Sequence, residues 1–141
     1  MIEKAFRQYV LDDAAITALI VVRIYRLIPP QKLTVPALVF VLVSDVRGHH
    51  LRGPDGLATT RVQLDAYAVT PDAMTTLVNL CRARLDGKAV DWTDGASPPT
   101  RSRVVVRWDV GHEDFDRDVN GGLCRYISEY RLTHTTAGGT I

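Results

Sequence analysis

The side chains best equipped for chemistry in this chain are two adjacent histidines and one run of acids. His49 and His50 stand side by side in a polar stretch. On an extended backbone neighbouring side chains point to opposite faces, so this pair cannot chelate one ion without a special turn. A denser group comprises Asp109, His112, Glu113, Asp114, Asp116 and Asp118. The alternation of Asp114, Asp116 and Asp118 has the spacing with which a calcium loop begins, but the glycine and distal glutamate needed at later offsets are missing. Two carboxylates sharing a catalytic role need an apolar pocket that splits their pKa values, and so polar a segment does not promise one. No nucleophile elbow, phosphate-cradling glycine loop or zinc spacing is present. The Gly53–Gly56 turn lacks the lysine that follows in a phosphate loop. The expectation is therefore no enzyme, no cofactor and no metal. The acids read as a solvated loop that meets a partner.

The remaining candidates are apolar or weakly reactive. Trp92 sits among Asp91, Thr93 and Asp94 in what reads as a loop; it either folds back on the core or anchors an interface. Trp108 lies in a strand and reads as core. Cys81 and Cys124 are too few and too far apart for a disulfide scaffold or metal knuckle, and both read as buried small apolar residues.

These residues must be positioned by a chain of 141 residues with 17 basic and 16 acidic side chains, a net charge of +1. That length suits one domain, expected over residues 1–133, with 134–141 a poorly ordered tail. Hydrophobic residues at 46% and charged residues at 23% exclude a disordered or collagen-like chain. The lack of a basic excess disfavours a dedicated duplex-binding domain. No apolar run follows a basic start, and none reaches the length of a membrane span, so neither a signal peptide nor a membrane segment is expected.

Along the chain, Ile2, Ala5, Phe6, Tyr9 and Val10 fall at helical spacing, and Asp12 or Asp13 can cap a second short helix over 14–19. Residues 21–28 are ambiguous, and Pro29-Pro30 stops whatever precedes them. Residues 37–44 form an apolar run expected of a strand covered on both faces. Residues 59–69 alternate, with Val62, Leu64, Ala66 and Ala68 on one side and Arg61, Gln63, Asp65 and Tyr67 on the other. Between them 45–58 reads as a long polar hairpin tip with the turn Pro54-Asp55-Gly56. Thr70-Pro71-Asp72 opens a helix whose apolar stripe is Met74, Leu77, Val78, Cys81 and Leu85, and Gly87 ends it. Residues 88–102 read as loop, 103–110 as a strand, 109–122 as a polar loop, and 123–133 as the last strand. The order helix, hairpin, helix, hairpin predicts an α+β fold, an antiparallel sheet of about four strands with two main helices packed on one face.

In this order the residues resemble a known family. The opening Ile2–Arg7 with Asp12–Leu19, then Arg23-Ile24-Tyr25, Pro29-Pro30-Gln31 and Pro36–Val39 are similar to the tail-completion, or tail-terminator, proteins of long-tailed phages. The turn Gly53–Leu57, the strand Arg61–Ala68 and the helix end Arg84–Gly87 continue the match; Tyr126–Leu132 follows it more loosely. No one motif is specific, since none carries chemistry; their order and spacing carry the resemblance. Residues 109–122 and the C-terminal tail are longer than the family's pattern.

The resemblance implies a structural virion protein forming a hexameric ring that ends the tail tube and receives the head connector. Its partners would be copies of itself, the tail-tube protein and a head connector or head-completion protein, with genomic DNA crossing the ring without sequence-specific contact. It would reside at the head-tail interface of the virion after assembly in the host cytoplasm. A head-completion adaptor or tail-tube subunit is the alternative from the same setting, and an unrelated soluble binding module the alternative outside it. The two long polar segments are the expected contact elements. They and the tryptophan nominate Arg47, His49, His50, Arg52, Asp55, Trp92, His112, Glu113, Asp114, Asp116 and Asp118 as interface residues.

Overall fold

Local signals set the helices. In the computed structural model α1 runs Ile2–Leu11 and buries Ala5, Phe6 and Val10. The Asp13 carboxylate then accepts from the N–H groups of Ala15 (2.9 Å) and Ile16 (3.3 Å), starting α2 at Ala14–Ile20. Thr70 caps Pro71–Leu85, α3, by accepting from Ala73 N–H at 3.2 Å. Such caps satisfy donors that the first turn leaves free. The chain leaves α3 through Asp86 and Gly87, the latter at φ +73°, where a side chain would be strained. The described residues are 2–51, 53–93, 101–117 and 122–135, with the backbone alone at 49, 50, 53–55 and 101.

The strands are β1 Ile24–Arg26, β2 Ala37–His50, β3 Gly53–Ala68, β4 Ala89–Thr93, β5 Arg101–Asp116 and β6 Leu123–Thr135. They form one mixed sheet in the order β1-β2-β3-β6-β5-β4. The expected four-stranded antiparallel sheet with two main helices is therefore corrected to six strands and three helices. One extra strand, β1, comes from the ambiguous stretch and pairs parallel to β2, Ile24 opposite Leu38. A parallel pair cannot be closed by a tight turn. Residues 27–36 make the crossover, and Leu33 within them is buried against Ala37, Val39, Tyr67 and Leu123 on the sheet's reverse face. The other extra strand, β4, lies in what reads as loop and pairs antiparallel with β5.

Two more segments are corrected. The expected long tip over 45–58 is mostly ladder, since β2 continues to His50 and β3 begins at Gly53. The expected loop over 109–122 is strand as far as Asp116, each residue from Val110 paired with β6. Residues 134 and 135, assigned to a tail, close β6. Positions 118–121 and 136–141, including Asp118 and most of that tail, lie outside the described residues.

The core lies between one sheet face and all three helices. Val62, Leu64, Ala66 and Ala68 of β3 face Phe6, Ile16, Ile20, Met74, Leu77 and Leu85. Trp92 belongs to this core: it is 2% exposed, stacks on Tyr9 with centroids 5.0 Å apart, and meets Phe6 at 5.9 Å. It thus folds back on the core and is withdrawn from the interface set. Trp108 is half-buried against the same cluster. Cys81 is buried, its thiol pushed up to about 12 by desolvation, while Cys124 is half-exposed, contrary to expectation.

Beyond the helices the core-side face of the sheet holds a polar group. Thr60 Oγ1 lies 3.0 Å from Asp45 Oδ1 and 2.9 Å from His134 Nε2, and His134 Nδ1 faces the Thr135 carbonyl at 3.2 Å. Burial holds the His134 pKa below its ordinary 6.5 against the opposing pull of that carbonyl and of Asp45. A depressed pKa means that the unfolded chain binds the proton more readily. The stability tied to the neutral ring is then complete above 6.5 and lost as pH falls through the folded value.

Two outcomes follow. Replacing Trp92 with alanine should cost about 3–5 kcal/mol in urea unfolding, as for large aromatic truncations in cores; a loss under about 1 kcal/mol would place the ring outside the core. Melting curves between about pH 7 and about pH 5 should show stability falling, and His134→Gln should remove that component of the slope. An unchanged slope in the variant would assign it to other groups.

Candidate functional site

A period of two puts one set of side chains from β3, β5 and β6 on the face away from the helices. Arg61 of β3 stands opposite Arg131 of β6, and Arg131 stands opposite Arg107 of β5. Like charges directly opposite one another destabilise a sheet. A counter-charge offsets this: Asp109, two residues on from Arg107 and left without a strand partner by a register shift between Trp108 and Val110, faces the same side as the arginine row. Its Oδ2 lies 3.3 Å from the Arg61 and 3.2 Å from the Arg131 guanidinium. Glu129 Oε2 completes the group at 3.4 Å from Arg61.

A second group lies further along the same face. Arg125 of β6 binds Asp114 through a short charge-assisted hydrogen bond and reaches Asp116 at 3.6 Å. The Tyr67 hydroxyl donates to Asp116 at 3.2 Å. Burial works against the charge on Arg125, but its hydrogen bonds to Asp114 and Tyr67 outweigh it and keep the guanidinium firmly protonated. The same hydrogen bond from Arg125 holds the Asp114 carboxyl below the usual carboxylate range. Asp65, at the inner edge of this group, moves the other way: burial raises its pKa, against a hydrogen bond from Gln63.

The nominated residues divide accordingly. Asp114 and Asp116 join the Arg125 group. His112 and Glu113 are exposed on β5, opposite Ile127 and Tyr126. Glu113 also lines a groove of about 250 Å³ with Asn79, Arg82 and Tyr126. Arg47 is far away on β2, exposed and ion-paired with Asp45 at 3.0 Å. His49 pairs with Pro54 and His50 with Gly53 through the backbone; the side chains of His49, His50 and Asp55, and all of Arg52, lie outside the described residues. The nominated set is thus split between two ends of the sheet.

Sequence reasoning missed Arg61, Tyr67, Arg125, Glu129 and Arg131. Their signal was available: the outward side of the alternation in β3 and β6 is charged or polar almost throughout. It also missed an exposed apolar set around β1. Val21, Val22, Leu27 and Ile28 are 55–76% exposed, and Val21 and Leu27 hold positive φ angles of 58° and 66°. A β-branched residue there is strained.

Chemically, this arrangement favours contact over reaction. The Asp114 carboxyl, held low by Arg125, stays ionised and cannot act as an acid near neutral pH. Among the described residues no cluster of three or more metal donors occurs, and no helix is long and apolar enough to cross a membrane.

The sequence profile of a family described as "Tail completion protein gp17" matches residues 4–135. Among solved structures, a chain from the "Virion of native gene transfer agent (GTA) particle" is similar in fold, with a TM-score of 0.65. The likeness covers 94% of this chain and 92% of that one at 15% identity. No curated protein matches the chain. The chain belongs to the tail completion protein gp17 family and is a structural component of a virion tail.

Proposed function

We propose that copies of this chain, six by the family resemblance, close into a ring that ends the tail tube and offers the head connector its docking surface. The observation that carries this reading is the family match over residues 4–135. The fold likeness to a chain of a gene transfer agent virion supports it across nearly the whole length. A ring of identical copies needs heterologous contacts that close on themselves. Tube and head partners then bind its two rims, and genomic DNA crosses the bore without sequence-specific contact.

In this reading the protein works by shape and catalyses nothing. Asp114 is held ionised by Arg125, Asp116 is ion-paired with the same guanidinium, and Asp65, whose pKa is raised, is only 6% exposed and out of reach of a substrate. The exposed Val21, Val22, Leu27 and Ile28 supply apolar surface that assembly can cover.

Deleting Arg47–Asp55 shortens the β2–β3 hairpin and removes the segment expected to reach a partner. The deleted protein should keep its circular-dichroism spectrum yet yield particles with headless or overlong tails. Normal joining of heads to tails by this variant would rule the assignment out, and open filaments of the intact purified protein would indicate a tube subunit.

A further inference from the structure

Two stretches of long strand have a neighbour on one side only. On β2, the parallel partner β1 covers just Leu38–Phe40, and the hydrogen bond from Leu27 N–H to Phe40 O closes that edge. From Val41 to His50 the strand has β3 on one side and, among the described residues, no strand on the other. Val43 and Val46 are exposed there. On β5, β4 covers Arg101–Val105. Lys88 O accepts from Val106 N–H, and the Asp86 carboxylate caps Trp108 N–H at 2.9 Å. From Asp109 to Asp116 only β6 is paired to the strand among the described residues, and Val110 and Phe115 are exposed. Long edges with exposed apolar side chains are templates for strand addition.

The two open edges are complementary. Successive pairs β2–β3, β3–β6 and β6–β5 are each antiparallel, so β5 runs opposite to β2. A β5 edge meeting the β2 edge of another copy therefore continues the sheet in its own alternation. The edges also sit at diagonally opposed corners. Val46 shares a row with Thr59, Thr133 and Val105, level with β4. Gly111 shares a row with Ser128, Leu64 and Phe40, level with β1. Each corner starts at a register shift, between Leu42 and Ser44 on β2 and between Trp108 and Val110 on β5. Diagonal corners give neighbouring copies a fixed stagger, which closing strands into a cylinder demands. Charge favours the mixed pairing: two β5 edges would crowd Glu113 and Asp114 of both copies at one seam, whereas the β2 edge carries one acid, Asp45, already paired with Arg47.

We infer that the β5 edge of one copy, Asp109–Asp116, adds to the β2 edge of the next, Val41–His50, in an antiparallel, head-to-tail contact between copies of this chain. The inference rests on the ring reading and specifies its subunit interface. Val46, Val110 and His112 lie on the same face of the sheet, so cysteines there test it.

The natural particle is built with the chain carrying Cys124→Ser together with Val46→Cys and either Val110→Cys or His112→Cys. It is treated with a bismaleimide spanning about 8 Å, roughly two residues along a strand, which tolerates small errors of register. Copies per tail are counted by quantitative mass spectrometry. At least one double variant should give a ladder of covalent dimers and higher multiples on a denaturing gel, and the single variants none. Several copies per tail without a ladder would overturn the edge pairing and leave the ring standing. Cross-linking by a single variant alone would replace it with a two-fold contact, and fewer than two copies per tail would overturn ring and pairing together.

Discussion

The molecule depends on the pairing of β3 with β6. These two strands occupy the centre of the sheet and pair from Leu57 opposite Thr135 to Ala68 opposite Cys124. Every other element is referred to them. On one face they carry Val62, Leu64, Ala66, Tyr130 and Leu132, the floor on which the three helices rest. On the other they carry Arg61, Arg125, Glu129 and Arg131. A slip of one residue would exchange the two faces and bury the arginines. The large apolar-to-charged contrast between faces is what fixes the register, and with it the placement of both outer hairpin strands.

Much of this was legible in the sequence where the signal is local. The cap Thr70-Pro71-Asp72 and the stripe from Met74 to Leu85 specify α3 within a few residues, because capping and periodicity act over one or two turns. The apolar run 37–44 and the alternation of 59–69 likewise announce β2 and β3. What was not legible depends on distant partners. Ala89–Thr93 carries turn-forming neighbours and one large aromatic, and becomes a strand only because β5 offers an edge while Tyr9 and Phe6 offer Trp92 a slot. Asp109–Asp116 looks like a loop for its acids, yet β6 supplies both a ladder and Arg125 to hold them. Tertiary context overrides composition there.

The candidate surface followed the same rule. Acids at Asp114 and Asp116 were visible as a cluster, but their counterion is on another strand, and pairing across strands cannot be read from spacing within one. His49, His50 and Arg47 drew attention as polar residues in a turn, whereas the structure places them on a ladder that continues past the helices. The strained positions Val21 and Leu27 have no sequence signature, since nothing about valine or leucine announces a positive φ.

The displaced Asp109 has a consequence for any polyanion that brushes this face. Affinity of a nucleic acid for a basic surface comes largely from small cations set free when phosphates take their place. Here Arg61 and Arg131 already hold a protein carboxylate, so of the row only the exposed Arg107 is left to a passing phosphate, which releases few ions from its own atmosphere. The row of arginines would then act as a low-friction surface, one whose weak hold changes little with ionic strength.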